Sequence, residues 1–432
     1  MSPEVIGLVG LVVLVALLFA GMWIGAAMAL VGFLGYAYIM GIQPAFGVVA
    51  QIPFKTVAYY PLTVVPMFVL MGCLLFYSGV GADLYESAYK WIGQLRGGLA
   101  MATVVSCAFF AAITGISAPA IVTMAKSALP QMRKYNYNDR LALGSIVCSG
   151  TLAFLIPPSM SFILYGILTE QSIGALFMAG VLPGILLSAL FIITIVVITI
   201  FNPQAAPAGP KTSLREKIGS LKDTWPVVAL FILILGGIYG GIFTPTEAGA
   251  IGAFGAVVFT AVKRRLTIKK LMDSLLETAQ TSAMIFLLIT GAYILMKFLA
   301  VSKLPLLLSK VVSQLPVPPG VILAAIIALY ILLGMFLDIM SATILTIPVI
   351  YPLILILGYD PIWFGVLITL LIQMGLVTPP VGLDAFILAG AAKVPLADVF
   401  RGVIPFLVAV LVCIVIIIFF PQIVLFIPKT MP

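Results

Sequence analysis

The stretch Gly150-Thr-Leu-Ala-Phe-Leu-Ile-Pro-Pro158 ends in a proline pair within apolar sequence, and Gly375-Leu-Val-Thr-Pro-Pro380 ends in a second pair in the other half of the chain. A Gly-Val-x-Pro run follows each pair, and the offset in residue number between the two runs, which end at Pro183 and Pro405, equals the offset between the two pairs. A Ser-Ala dipeptide precedes each pair at nearly the same spacing, at Ser117 and at Ser341. Such matched interruptions predict a chain built from two structural repeats.

The composition is that of a membrane protein. The chain is 63% hydrophobic and 8% charged, whereas a soluble domain carries about 25% charged residues. We therefore expect an all-α polytopic protein embedded in a lipid bilayer. The N-terminus lacks the positive charge and cleavage site of a signal peptide, so we expect residues 5–20 to be a retained span. The Lys and Arg residues lie between apolar runs, which favours cytoplasmic loops over nucleic-acid binding.

Missing residue types exclude several kinds of catalysis. The chain has no histidine, which removes His-based zinc sites, haem ligation and Ser-His catalysis. No Gly-Lys dipeptide occurs, so the phosphate-binding loop of ATPases is absent. The four cysteines are scattered singly in apolar segments and are expected to be buried hydrophobic residues. We expect a protein that is not an enzyme.

The apolar runs predict ten spans and two interrupted stretches. The spans lie at 5–20, 21–40, 61–79, 141–168, 173–202, 225–243, 246–262, 278–299, 361–389 and 402–427. The interrupted stretches, 99–129 and 319–357, break near Gly115 and Asp338. Arms of about 15 residues are about 22 Å long, short of the hydrocarbon thickness of about 30 Å. We interpret both stretches as re-entrant helical hairpins; pairs of short or tilted spans are the alternative.

Loop charges support a topology in which the two hairpins enter from opposite faces. With the base of the first hairpin in the cytoplasm, 17 of the 22 Lys and Arg residues fall inside and five outside. The sequence thus predicts inverted repeats at 1–202 and 225–432, joined by a cytoplasmic linker at 203–224. Amphipathic segments near 84–95 and 304–315 precede the hairpins and are expected to lie in the membrane interface.

Each broken helix, 141–168 and 361–389, is predicted to expose backbone oxygens. Proline has no N–H and frees the carbonyl four residues earlier, here those of Ala153, Phe154, Gly375 and Leu376. A hairpin tip beside such a helix would form a neutral, all-oxygen cage that suits Na⁺. A kink whose Ser and Thr hydroxyls bond back to the helix is the structural alternative. The two predicted Na⁺ sites comprise Ser117, Ala118, Gly150, Thr151, Ala153, Phe154 and Pro158 in one half, and Ser341, Ala342, Gly375, Leu376, Thr378 and Pro380 in the other.

Anionic substrate is expected between the two cages, where helix N-termini present free N–H groups. Asp384 is a lone carboxylate within a span and is a candidate for binding a substrate hydroxyl or an ion. Asp338 and Glu247 are instead expected to cap helices. The predicted substrate residues are Ser159, Ser161, Thr343 and Asp384.

The chain resembles the large membrane subunit of TRAP transporters, the tripartite ATP-independent periplasmic carriers. The matching stretches are Val65–Gly72, Phe243–Gly249, Gly334–Asp338, Gly358–Gly365 and Thr378–Gly382. The resemblance implies Na⁺-coupled uptake, across the bacterial inner membrane, of a carboxylate of the C4-dicarboxylate or sialic-acid type. It also implies a soluble periplasmic binding protein and a separate, small four-span subunit as partners. The hairpins and broken helices would move as an elevator-type transport domain against the rest as scaffold.

One residue departs from the family pattern, because position 384 is expected to hold Asn more often than Asp. Two other function classes remain open. One is a stand-alone Na⁺/carboxylate symporter or a channel without a binding protein. The other is an intramembrane hydrolase acting through Ser117 or Asp338, which lacks a base near the serine.

Overall fold

The computed structural model describes residues 2–314 and 316–431, which form twenty α-helices and no strand. This confirms the predicted all-α class. In the first half the helices are α1 Pro3–Phe19, α2 Ile24–Met40, α3 Ile42–Val57, α4 Val64–Ser78, α5 Val80–Ile92, α6 Gly98–Thr114, α7 Ser117–Lys134, α8 Asp139–Gly150, α9 Met160–Thr169 and α10 Ile173–Phe201. In the second half they are α11 Leu214–Tyr239, α12 Pro245–Val262, α13 Ile268–Ser302, α14 Leu304–Gln314, α15 Pro319–Gly334, α16 Ile339–Ile356, α17 Pro361–Gly375, α18 Leu383–Ala392, α19 Leu396–Phe419 and α20 Gln422–Thr430.

Helix bounds repeat between the halves. Helices α7 and α16 begin and end at the same offset in residue number that separates the two proline pairs, and α8 and α17 begin at this offset too. The pairs α6/α7 and α15/α16 are the predicted hairpins, and α8/α9 and α17/α18 are the predicted broken helices. Seven of the described helices are long and apolar enough to cross a membrane.

Packing is reciprocal across the halves. Helix α7 packs on α18 while α16 packs on α9, and likewise α2 packs on α13 while α4 packs on α12. Two groups of helices result: a core bundle of α6–α10 and α15–α19, and a frame of α1–α4 and α11–α13. Helices α5 and α14 contact both groups.

The long helices α10 and α19 belong to the core bundle by their packing. Helix α19 lies along α8, and α10 contacts α6, α9 and α17. The sequence prediction assigned both to the scaffold, because uninterrupted apolar helices carry no signal of their neighbours. The α8–α19 crossing depends on glycine, since a Cβ at Gly402 would collide with the carbonyl oxygen of Arg140 and one at Gly144 with that of Gly402.

Helix caps confirm two predictions and mark where helix α11 begins. Thr244 and Glu247 form a capping box at the start of α12, and the Asp338 side chain accepts hydrogen bonds from the N–H groups of Met340 and Ser341. A further capping box starts α11 right after Ser213, so residues 214–224 of the predicted linker are helical.

The helices differ from the predicted spans in two regions of the chain. Helix α3 was missed because its Gln, Pro and Lys residues lower the hydropathy of 42–57. The predicted span 402–427 is two helices, α19 and α20, which are separated at Phe420-Pro421 because proline cannot continue the hydrogen-bonding ladder.

The amphipathic segments form α5 and α14. Within α5, Leu84 is buried while Trp91 is 44% exposed, and Asp83 pairs with Arg265 in the α12–α13 loop. Leu315 of the second predicted segment lies outside the described residues.

The inverted topology predicts that the α7–α8 and α16–α17 loops lie on opposite sides of the membrane. Cysteines introduced at Asn136 and Tyr359 in a cysteine-free chain are expected to react with an impermeant thiol reagent from opposite faces. Labelling of both from the same face would contradict the inverted repeat.

Candidate functional site

The tip of the first hairpin packs on the broken helix of its own half. Gly115 adopts the left-handed conformation at the end of α6. It lies so close to the loop that holds the first proline pair that a Cβ would come within 2.7 Å of the Pro158 carbonyl oxygen. The Met160 N–H donates to the Gly115 carbonyl at 3.4 Å. The predicted neighbours Thr151, Ala153 and Phe154 form a buried 3₁₀ turn that directly follows Gly150.

The second hairpin tip packs on its broken helix in the same way, and the two backbones are closer still. We call these two contacts between a hairpin tip and a broken helix the first and the second junction. A Cβ at Gly375 would collide with Gly334 and come within 2.7 Å of the Met335 nitrogen. The Gly382 N–H donates to the Met335 carbonyl at 3.2 Å, which ties the proline loop to the tip. Each tip therefore meets the broken helix of its own half of the chain.

A hydrogen bond joins the two broken helices. The Gln373 side-chain N–H donates to the Thr151 hydroxyl at 2.8 Å, and both side chains are buried. The two residues are separated by the same offset as the proline pairs, so they occupy matching places in the two repeats. Residues at matching positions in the two halves thus hold the two broken helices together.

A second link crosses from hairpin one to broken helix two. The Ser117 hydroxyl, at the first residue of α7, donates to Asp384 Oδ1 at 2.8 Å. Asp384 lies in the first turn of α18 and is 3% exposed. Both ends of this link lie at helix N-termini, where the partial positive charge of the helix dipole favours a carboxylate. A third link joins the hydroxyls of Ser161 and Thr369 at 2.8 Å.

Two buried oxygens at these links have no hydrogen-bond partner among the described residues, Gln373 Oε1 and Asp384 Oδ2, and the same holds for Ser149 Oγ, two residues before Thr151 on α8. Unpaired buried acceptors are costly and need an explanation such as an ion or water. No three His, Cys, Asp or Glu side chains converge in the described part of the chain. A cation held here would therefore have backbone, hydroxyl and amide oxygens and the one Asp384 carboxylate as ligands, which suits a hard ion.

Three of the released carbonyls accept other hydrogen bonds, and one of these comes from a hydroxyl, as in the structural alternative that the sequence leaves open. Phe154 accepts a hydrogen bond from the Ser159 hydroxyl at 2.5 Å. Gly375 accepts from the Thr378 N–H at 2.9 Å, and Leu376 accepts from the Asp384 N–H at 3.0 Å. The loops after the breaks fold back and supply these donors. Each carbonyl oxygen has a second lone pair, so pairing does not remove it as an ion ligand.

Other predicted hydroxyls are used locally. Thr343 donates to the Ile339 carbonyl and Thr378 to the Met374 carbonyl, each within its own helix or just past its end. The Ser341 hydroxyl donates to the Asp338 carboxylate that caps α16. Ser117 is the first residue of α7 and Ser341 the third of α16, so the two serines do not occupy equivalent positions. The remaining predicted residues, Ala118, Ala342, Pro158 and Pro380, lie at the tips and in the proline loops.

Sequence reasoning missed Gln373 and Thr369. Each is a single polar residue within the apolar run of α17, and no motif marks either of them. The offset that relates the proline pairs also relates Gln373 to Thr151, and this correspondence could have identified Gln373 from the sequence.

Comparison with known proteins gives a consistent result. Residues 11–423 match the family model described as tripartite ATP-independent periplasmic transporter, DctM component. The chain is 33% identical to the C4-dicarboxylate TRAP transporter large permease protein of Pseudomonas aeruginosa, over 87% of this chain and 88% of that protein. It is 31% identical to the sialic acid TRAP transporter large permease protein of Vibrio cholerae, over 96% of each chain.

Solved structures share the fold. The YdaH transporter of Alcanivorax borkumensis superposes with a TM-score of 0.68 at 15% identity, covering 98% of this chain and all of that one. Since the family model spans nearly the whole sequence, the chain belongs to the DctM family, the large membrane subunit of TRAP transporters, and is a multi-pass inner-membrane permease rather than an enzyme.

Proposed function

We propose that this permease carries out Na⁺-coupled uptake of an organic carboxylate by an elevator mechanism. The observation that supports it best is the pair of tip-to-broken-helix junctions, which the Thr151–Gln373 hydrogen bond joins inside one bundle. Matched helix breaks at the middle of an inverted-repeat bundle are where secondary transporters bind ions and substrate.

Na⁺ fits the chemistry of the junctions. Their lining consists of backbone, hydroxyl and amide oxygens, with Asp384 the buried carboxylate among them. Asp384 forms no ion pair within 2–314 and 316–431, so a bound cation would offset its charge. Bound Na⁺ would supply positive charge beside an anionic substrate and would link uptake to the ion gradient. We propose at least two such sites, at the residues predicted from the sequence.

The division into bundle and frame supports movement of the bundle as a unit. Frame helices pack on one another through α2 with α13 and α4 with α12, whereas the frame meets the bundle through α4 against α6 and α13 against α16. At this boundary a Cβ on Gly72 would lie 3.2 Å from the Cα of Thr114, so the two backbones approach closely without large side chains between them.

Family membership implies a small membrane subunit and a periplasmic binding protein as partners. We propose that the small subunit has four spans and that the binding protein delivers the substrate. Relatives are described as permeases for C4-dicarboxylates, sialic acid, isethionate and ectoine. We propose a carboxylate of the C4-dicarboxylate or sialic-acid type for this chain.

Collapse of the Na⁺ gradient is expected to abolish accumulation by the complete system. Proteoliposomes would contain this chain, its small subunit and the binding protein, and uptake of radiolabelled succinate, N-acetylneuraminate, isethionate and ectoine would be measured. The gradient is the source of free energy in the proposal, and ATP should have no effect.

Sustained accumulation driven by ATP or by a proton gradient alone would contradict the coupling. Omission of the binding protein separates the alternatives: a stand-alone symporter would keep saturable uptake without it, and a channel would give uptake that does not saturate.

A further inference from the structure

A large cleft with both apolar and polar walls lies away from the two junctions, between the frame and the core bundle. Its volume is about 760 Å³, and its walls come from α3 and α13 of the frame and from the C-terminal end of α9 in the bundle. This volume lies within the range of about 300–1,000 Å³ that is typical of small-molecule sites. The predicted topology places this end of α9 on the periplasmic side, so we call it the outer cleft.

Two lysines from different helices face the outer cleft. Lys55 lies on α3 and Lys297 on α13, and both line the cavity. Lys297 is the only charged residue of α13 after Glu277, and a charged side chain within an apolar membrane helix is costly and usually marks a function. Lys55 donates to Gln51 at 3.1 Å. Neither lysine forms an ion pair in the described part of the chain.

The other polar groups of the cleft are suited to an organic anion. Gln51, Tyr59 and Tyr293 add hydrogen-bonding groups to the same walls. Glu170 is the one acidic lining residue, and it comes from the bundle at the end of α9. The frame side of the cleft is thus positive, and the single negative charge lies on the part proposed to move. Such a positive cleft raises the local concentration of anions and the rate of their association.

The outer cleft is also well placed on a path to the junctions. Helix α9 begins next to the first proline loop at Ser159 and ends at the cleft, a distance of about 15 Å at 1.5 Å per residue. A ligand in the cleft would therefore lie one short helix away from the site in the bundle.

We propose that the outer cleft is a second, transient binding site for the carboxylate substrate, which the anion occupies between its release by the binding protein and its entry into the bundle. Lys55 and Lys297 bind the carboxylate there. This inference rests on the proposed function, because it takes the same anion as its ligand.

The double variant Lys55→Met/Lys297→Met is expected to raise the KM for uptake at least about tenfold, since the loss of one charge-assisted contact already corresponds to about this factor, while Vmax changes little. The substrate is whichever member of the four-compound panel the wild-type system accumulates. The control is Lys429→Met, which removes an exposed lysine on α20. Lys429 does not line the cleft, so this variant should keep the wild-type KM.

A second readout does not need transport. In a cysteine-free chain, a cysteine at Ala300, a residue that lines the cleft, would be labelled with 2-sulfonatoethyl methanethiosulfonate and with the trimethylammonium reagent of similar size. We compare the rate of labelling by the anionic reagent with the rate of labelling by the cationic reagent. Their ratio is expected to fall about tenfold in the double lysine variant, because the variant removes the positive charges, whose potential in a cleft amounts to several kT.

An unchanged KM or an unchanged labelling ratio in the double variant would overturn the outer site and would leave Na⁺-coupled uptake intact. If the wild-type system accumulates no panel compound under a Na⁺ gradient, the proposed function fails, and the labelling ratio still decides whether the cleft attracts anions.

Discussion

Replacement of Gly375 by alanine is expected to raise the Na⁺ concentration for half-maximal uptake about ten- to hundredfold while the protein still inserts in the membrane. The added methyl group would collide with the backbone of Gly334 in the second hairpin tip, and this tip cannot move as a flexible side chain could. Overpacking of this kind costs about 1–3 kcal/mol. If the tip shifts away from the broken helix, the same free energy corresponds to a loss of about ten- to hundredfold in Na⁺ affinity.

Gly390→Ala is the matched control for this variant. Gly390 lies on α18 of the same broken helix, and a Cβ at this position would meet no atom within 4 Å. Alanine also favours a helix over glycine by about 1 kcal/mol, so uptake should be at least as high as in the wild type. The measurement is a Na⁺ titration of initial uptake rates at equal protein levels. A folded Gly375→Ala permease with wild-type Na⁺ dependence would show that the second junction is not an ion site.

The sequence was sufficient to locate these junctions, because breaks in membrane helices leave a strong chemical signal. The proline pairs, the glycines of the tips and the constant offset between the two halves are all visible in one chain. Asp338 and the Thr244-Pro-Thr-Glu run were likewise predicted as caps, since capping is a local interaction between residues close together in the chain.

Contacts between distant segments could not be predicted in the same way. No sequence pattern near these residues indicates that Gln373 donates a hydrogen bond to Thr151 or that Ser117 donates one to Asp384. The same is true of the N–H groups after the helix breaks that donate to the released carbonyls. Helix α3 was missed for a related reason: its polar residues face the outer cleft and the frame, so hydropathy alone does not distinguish it from a loop.

The Ser117–Asp384 link holds together two parts of the bundle that the chain separates by 267 residues. If a conformational change or an ion acts on the first hairpin, this contact passes the effect to the second broken helix. The Asp384 N–H also donates to the Leu376 carbonyl at 3.0 Å, so the same residue holds the second proline loop in place. Its position is therefore fixed by both halves of the chain, and its Oδ2, which has no hydrogen-bond partner among the described residues, remains available to a ligand.

Asp384→Ala is accordingly expected to lower the uptake rate at least about a hundredfold. The variant removes a proposed ligand of the ion, and it also leaves the Ser117 hydroxyl without its acceptor, which by itself costs about 1–3 kcal/mol. Asp384→Asn keeps an oxygen for the Ser117 hydroxyl and should retain part of the activity. A cycle of Ser117→Ala, Asp384→Ala and the double variant measures the coupling, and we expect the double variant to lose less than the sum of the single losses in free energy. Ser188→Ala is the control, since Ser188 only donates to the Gly184 carbonyl of its own helix. Strict additivity in the cycle, with Na⁺ dependence unchanged in all three variants, would mean that the contact does not connect hairpin one to the second junction.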